Sequence, residues 1–279
     1  MNLRFWGVRA ELAIPGPTSL RYGGHTLCTT VTDDEGNLCI LDAGFGLTQL
    51  GHELMAEEFG QGQGNALILF SHFNWDHTHG IGFFLPFYRR GNRFTFYGLG
   101  SQEFAFFDRL EAQLIPSLSP LQTLNHLEAQ LSFRESDKEG FWWGDIHVRS
   151  HLMPAGVEYG GGFRPLAFHL SHDGRSLIYV SEAEYPDGQL PDKFVEFCRG
   201  ANLLIHDAYW TADDCRPGWG HSPVELAVEL ARRAGIPRLA LFHYNPAYGD
   251  DQIDEMIRAC QAEASVEVFG AREGQELTL

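Results

Sequence analysis

Cysteine is scarce in this sequence: five residues, Cys28, Cys39, Cys198, Cys215 and Cys260, are scattered over 279 positions. The number is odd and the spacing wide, so neither a disulfide framework nor a zinc knuckle is indicated, and reduced, mostly buried thiols are the expectation. Long apolar runs are missing as well. No window reaches the length of a bilayer-spanning helix, so no membrane association is expected. The first residues, Met1 to Gly7, enter strand-like sequence without an apolar signal core or a cleavage site, and a cytoplasmic location follows as the default. Positive charge is also in short supply, since 20 Lys and Arg stand against 37 Asp and Glu for a formal net charge of −17. Such a surface repels polyanions at long range and argues against a long nucleic acid as partner, although Arg89, Arg90 and Arg93 supply a local basic cluster. A small anionic substrate, held by local charge, is compatible with this balance, and so is a homo-oligomer.

What is present reads as a globular chain, with 44% hydrophobic and 20% charged residues. Short β-strands are predicted over 3–8, 26–32 and 37–42, the last two joined by the turn Asp33-Asp34-Glu35-Gly36. A helix over 47–59, a strand over 66–70, a strand from 94 to 98 and a helix over 101–113 follow. The segment 114–140 is the least regular and reads as a lid or connection. Strands return at 145–152, 164–171 and 176–181, with Ser171-His172-Asp173-Gly174 as a hairpin turn. Apolar residues at helical spacing over 223–234, Ser222 as N-cap and Gly235 as stop mark another helix, followed by a strand at 239–242 and a helix at 250–262.

The most informative stretch is Ser71-His72-Phe73-Asn74-Trp75-Asp76-His77, which emerges from the buried apolar run Ala66-Leu67-Ile68-Leu69-Phe70. Other motifs keep a fixed order around it: Arg21-Tyr22-Gly23-Gly24-His25-Thr26, Leu41-Asp42-Ala43-Gly44, Tyr179-Val180-Ser181-Glu182-Ala183-Glu184, Ile205-His206-Asp207-Ala208, Gly218-Trp219-Gly220-His221-Ser222, Leu241-Phe242-His243 and Ala271-Arg272-Glu273-Gly274. Together they resemble the metallo-β-lactamase superfamily, whose signature is His-x-His-x-Asp-His. Within it the likeness is to the phosphodiesterase branch, which includes cyclic-phosphate phosphodiesterases and the endonuclease that trims tRNA 3′ ends. The resemblance implies an α+β fold, a four-layer αββα sandwich, formed as one domain over residues 1–279.

Carried over by position, the resemblance implies a first metal set of His72, Asn74 and Met153 and a second of Asp76, His77 and His243, with Glu182 at the bridging position. An amide oxygen at Asn74 and a thioether at Met153 are poor ligands for a borderline divalent cation, so the first site is degenerate. The second set suits one divalent metal: zinc first, iron or manganese next. Glu182 reads equally as a ligand or as half of a salt bridge. His25 and His151 are either substitute ligands or local hydrogen-bonding residues. Asp42 and His206 occupy supporting positions, where a carboxylate orients a ligating imidazole.

The function implied is a metal-dependent hydrolase of a phosphodiester, small or cyclic and nucleotide-like, using a metal-activated water. Asp76 serves as ligand or base, His221 as proton donor to the leaving oxygen and Asp207 as its acidic support, because an imidazole ionises near neutral pH. The bland alternative for His221 is a residue that closes the turn before its helix. Two further readings of the chain stay open: a catalytically reduced sensor or partner protein that binds a metal or small ligand, and a non-haem iron protein on the same fold.

Overall fold

The computed structural model describes residues 1–100, 105–114, 123–137, 139–154 and 164–279, and arranges them in two sheets of seven strands. The first sheet holds β1 (Asn2–Gly7), β2 (Cys28–Thr32), β3 (Leu38–Leu41), β4 (Asn65–Leu69), β5 (Arg93–Gly98) and β6 (Gln130–Glu135) in that spatial order. The second holds β7 (Phe141–Trp143), β8 (Ile146–Leu152), β9 (Leu166–His172), β10 (Arg175–Val180), β11 (Leu203–Asp207), β12 (Arg238–Phe242) and β13 (Glu267–Gly270), again as neighbours in chain order. A last strand, β14 (Glu276–Thr278), returns to pair with β1. The runs β3 to β6 and β10 to β13 are parallel, and the remaining pairings are antiparallel.

The layers follow from side-chain alternation along each strand. On β3 and β4, Cys39, Leu41, Leu67 and Leu69 join the core shared with the second sheet. Their neighbours Leu38, Ile40, Ala66 and Ile68 face the opposite way, onto Leu47 and Leu50 of α1 (Gly46–Leu54) and Phe106 and Leu110 of α2 (Phe106–Glu111). The outer face of the second sheet is covered by α3 (Asp192–Cys198), α4 (Glu225–Ala234) and α5 (Asp250–Glu263), through residues such as Phe194, Leu230 and Ile253. Each Leu or Phe fully withdrawn from water contributes roughly 1.5–3 kcal/mol. The result is the αββα sandwich.

The hairpin at 171–174 forms as expected, with Asp173 and Gly174 both left-handed (φ 47° and 72°), the requirement of a tight two-residue turn. Gly235 ends α4 at φ 69°. Other expectations need correction. The helix expected over 47–59 stops at Leu54, and a separate 3-10 turn covers Glu58–Gln61. Within 114–140, β6 pairs in parallel with β5, so this part is an edge strand, while 115–122 and 138 lie outside the described residues. The helix expected over 101–113 is described only as α2, and 101–104 lie outside. Ser222 does not cap α4, because its Oγ accepts the Tyr185 N–H at 2.8 Å.

This topology prepares a site at one edge. Because β3 and β4 are parallel, Asp42 and the loop beginning Ser71-His72 leave the first sheet side by side. Parallel pairing of β10, β11 and β12 likewise brings Glu182, Asp207 and His243 to the matching ends of the second sheet.

Candidate metal centre

Seven buried side chains from these strand ends form three overlapping clusters. Ligand-type atoms of His72, His77 and Glu182 lie within 4.8 Å of one another, as do those of Asp76, His77 and His243, and those of Asp207, His221 and His243. Asp76 Oδ2 is central, 3.3 Å from His77 Nε2 and 3.3 Å from His243 Nε2. Glu182 Oε2 lies 2.9 Å from His72 Nε2, a direct contact between the two side chains.

Each imidazole of the central cluster is oriented from behind. His77 Nδ1 donates to Asp42 Oδ2 at 2.9 Å, and His243 Nδ1 donates to Asp207 Oδ1 at 3.1 Å. A carboxylate can only accept, so both rings carry a proton on Nδ1 and turn Nε2 toward Asp76. Asp42, fully buried at the end of β3 with φ 58°, also accepts the Ser71 N–H at 2.8 Å and the Tyr179 hydroxyl at 2.8 Å. The other oxygen of Asp207 accepts His221 Nδ1 at 2.7 Å. His243 also sits at φ 58°, the second left-handed non-glycine residue just past a strand of the site. The loops are locked together by Ala43 N–H to the His77 carbonyl (2.8 Å) and by Gly44, where a Cβ would fall 2.1 Å from the Asp76 carbonyl oxygen.

The remaining sequence candidates lie elsewhere. His25, read as either a substitute ligand or a local hydrogen-bonding residue, bonds Glu273 Oε2 through Nδ1 at 3.0 Å and belongs to none of the three clusters. His151, given the same two readings, packs against Phe194 and Phe197 of α3, with ring centroids 5.1 Å away in each case, and is likewise outside them. His206, assigned a supporting position, turns from the site: its Nδ1 donates to the Asp207 carbonyl at 2.8 Å, and Nε2 accepts the Tyr185 hydroxyl at 2.7 Å. The Asn74 carbonyl accepts the His77 N–H at 3.0 Å and opens the 3-10 turn Trp75–His77. Met153 is fully buried in the apolar core.

Two residues that sequence reading overlooked meet the cluster. The Glu11 N–H donates to Asp76 Oδ2 at 2.8 Å, and the Tyr209 ring stacks on His221. Tyr209 follows the Ile205-His206-Asp207-Ala208 motif directly, a usable signal; Glu11 sits in an unpatterned loop and gives none.

The electrostatics are those of a buried, mutually compensated network. Burial opposes the charge on Asp76, but His77 and then His243 outweigh it and hold the carboxyl well below its ordinary range. Burial likewise opposes ionised Asp207 and Asp42, and the imidazoles of His221 and His77 respectively overcome it. Glu182 is lowered too, His72 prevailing over burial. Against the pull of burial, Asp207 and Asp76 raise His243 to about 9, and Asp76 with Asp42 raise His77 well above its usual value. For His72 burial prevails, reinforced by His77, and its pKa falls. The carboxylates and imidazoles of the centre thus compensate one another's charge.

These residues fit a divalent cation. His77 Nε2 is buried without a hydrogen bond of acceptable geometry, directed at Asp76, while its other nitrogen is already committed. Two imidazole nitrogens and a carboxylate form a donor set suited to zinc, iron or manganese.

Comparison with known proteins agrees with this geometry. Residues 39–244 match a family model described as a Beta-lactamase superfamily domain. The ribonuclease Z of Thermococcus gammatolerans is 41% identical over 146 residues, which is 46% of this chain and 44% of that protein. Over the curated relatives the chain spans less than half of their length, from 24% to 44%. Among solved structures, the metallo-beta-lactamase fold protein YhfI from Bacillus subtilis aligns over 99% of this chain and 98% of its own, at TM-score 0.73 and 17% identity. Human tRNase Z, short form, aligns over 100% and 99%, at TM-score 0.65 and 17% identity. The matched region opens on β3 and closes one residue past His243, so it holds every member of the three clusters. The chain belongs to the Beta-lactamase superfamily and has the metallo-β-lactamase fold.

Proposed function

We propose that the protein is a metal-dependent phosphodiester hydrolase acting on a small or cyclic, nucleotide-like substrate, with one divalent ion, zinc first, held by Asp76, His77 and His243. The observation that carries this reading is the approach of Asp76 Oδ2 to Nε2 of both histidines, each oriented from behind by a carboxylate. Glu182 and His72, in contact at 2.9 Å, would stand beside the bound ion. An amide at Asn74 and a thioether at Met153 support one ion rather than two. When bound, the cation supplies Lewis-acid stabilisation of phosphoryl charge and acidification of water.

The chain's own residues supply the rest. Asp207 fixes His221 through Nδ1 at 2.7 Å, so the nitrogen free to carry and release a proton is Nε2. His221 is the donor to the leaving oxygen, and Asp207 orients it and His243 together. The formal charge of −17 supports a small substrate, whereas the names of the relatives point to RNA. Arg90 of the local basic cluster is paired with Glu128 at 3.0 Å, which weakens that patch as a polyanion surface. The free thiols, four of them buried, support a reducing, cytoplasmic setting.

The test is turnover by zinc-, manganese- or iron-loaded protein on bis(p-nitrophenyl) phosphate, on a 2′,3′-cyclic nucleotide and on a precursor tRNA. Cleavage of the first two, lost in Asp76→Ala, is expected. Cleavage of precursor tRNA alone would replace the small-substrate reading. No turnover by metal-loaded protein would favour a binding protein.

A further inference from the structure

Tyr209 and Glu11 form a brace against His221. A single hydrogen bond from His221 Nδ1 to Asp207 fixes a distance and a direction but leaves the imidazole free to rotate about that axis. Tyr209 removes this freedom: its ring lies face to face with His221, with centroids 4.2 Å apart and planes 5° from parallel. Tyr209 is itself held at both ends. Its backbone N–H donates to Asp207 Oδ1 at 3.1 Å, and its hydroxyl donates to Glu11 Oε1 at 2.6 Å. Glu11 then closes the circuit, because its own N–H donates to Asp76 Oδ2 at 2.8 Å.

The backbone at Glu11 is left-handed, at φ 58°, a conformation that a glutamate adopts only when its surroundings require it. Here the requirement is visible: one residue must present its N–H to Asp76 and its carboxylate to Tyr209 at once. We propose that Tyr209 and Glu11 are positioning residues that hold the His221 imidazole in one plane for proton delivery to the leaving group. The inference rests on the reading of His221 as proton donor.

The experiment uses the metal-loaded full chain and two substrates, an alkyl phosphodiester with a poor leaving group and bis(p-nitrophenyl) phosphate with an activated one. Tyr209→Leu removes both stack and tether, and is expected to lower kcat on the poor leaving group at least tenfold more than on the activated one, with KM unchanged. Tyr209→Phe keeps the stack and should fall between. Glu11→Ala should show the same leaving-group dependence as Tyr209→Leu to a smaller degree, and Glu11→Gln, which retains an acceptor, should restore most of the loss. Equal losses on both substrates, or an effect confined to KM, would overturn the proposal.

A second readout does not need turnover. Carbon-bound ring protons of His221, shielded by the Tyr209 face, should move downfield in the NMR spectrum of Tyr209→Leu and broaden in Glu11→Ala but not in Glu11→Gln. Unchanged His221 signals in Tyr209→Leu would overturn the brace whatever the activity. Shifted signals in a protein that cleaves neither substrate would leave the brace standing and count against the hydrolase reading.

Discussion

At the scale of single residues the centre is a set of imidazoles whose outer nitrogens are fixed by carboxylates. If His221 protonates the leaving oxygen, His221→Ala should reduce turnover on a poor leaving group by roughly 10²–10⁴, with little loss on an aryl phosphodiester. Equal losses on both would make it a turn-closing residue. Asp42 makes a separate prediction. It is buried and accepts from Ser71, His77 and Tyr179, so Asp42→Asn should weaken metal affinity by about 10–100-fold in a competition titration. Tyr179→Phe deletes one bond to this charged group and should cost about 1.5–3 kcal/mol in urea unfolding. Much of this was legible beforehand: the motif positions of His72, Asp76, His77, Glu182, His243, Asp207 and His221 are those the fold brings together. For His25 and His151 the sequence left two readings, because an imidazole near a site in sequence says nothing of its partner, which is Glu273 for one and two phenylalanines for the other.

At the scale of elements, loop closure depends on glycine in two distinct ways. Gly44→Ala would drive a Cβ to 2.1 Å from the Asp76 carbonyl, a clash between backbones that cannot relax cheaply. A loss on the order of 4 kcal/mol or more is expected. Gly235 at the end of α4 has open space around it and only its left-handed φ of 69° to satisfy, so Gly235→Ala should cost just about 1–2 kcal/mol by the same urea measurement. The facing strands β8 and β9 contain a pH-sensitive element. Burial first, and then Arg149, lower His169 to about 4. Its folded pKa lies below its unfolded value near 6.5, so the unfolded chain takes up the proton first. Stability held above pH 6.5 is therefore lost as pH falls toward 4, by up to roughly 3 kcal/mol from this residue. In His169→Gln the drop between pH 7 and 4.5 should shrink accordingly; an identical drop would show that other groups control it.

Strongly patterned elements were readable at this scale, the buried apolar run of β4 and the helical spacing of α4 among them, because the pattern directly reflects what is buried. Weakly patterned ones were not. Strand β6 alternates only between half-buried and exposed positions and gains its identity from pairing with β5, a long-range contact that local sequence does not encode. The same holds for β14, whose three residues become a strand only by meeting β1. Likewise, Ser222 matched an N-cap signal locally, yet tertiary structure used its hydroxyl for Tyr185.

At the scale of the whole molecule, the fold brings two sheets together so that the ends of parallel strands supply opposite halves of one centre. The central claim is that this centre holds one ion, on Asp76, His77 and His243. The most direct test is metal analysis of protein purified without chelator and again after supplementation with zinc, iron or manganese. About one ion per chain is expected, lost in Asp76→Ala and His243→Ala and retained in Asn74→Ala. Two tightly bound ions per chain, or one ion that survives Asp76→Ala and His243→Ala, would contradict the account.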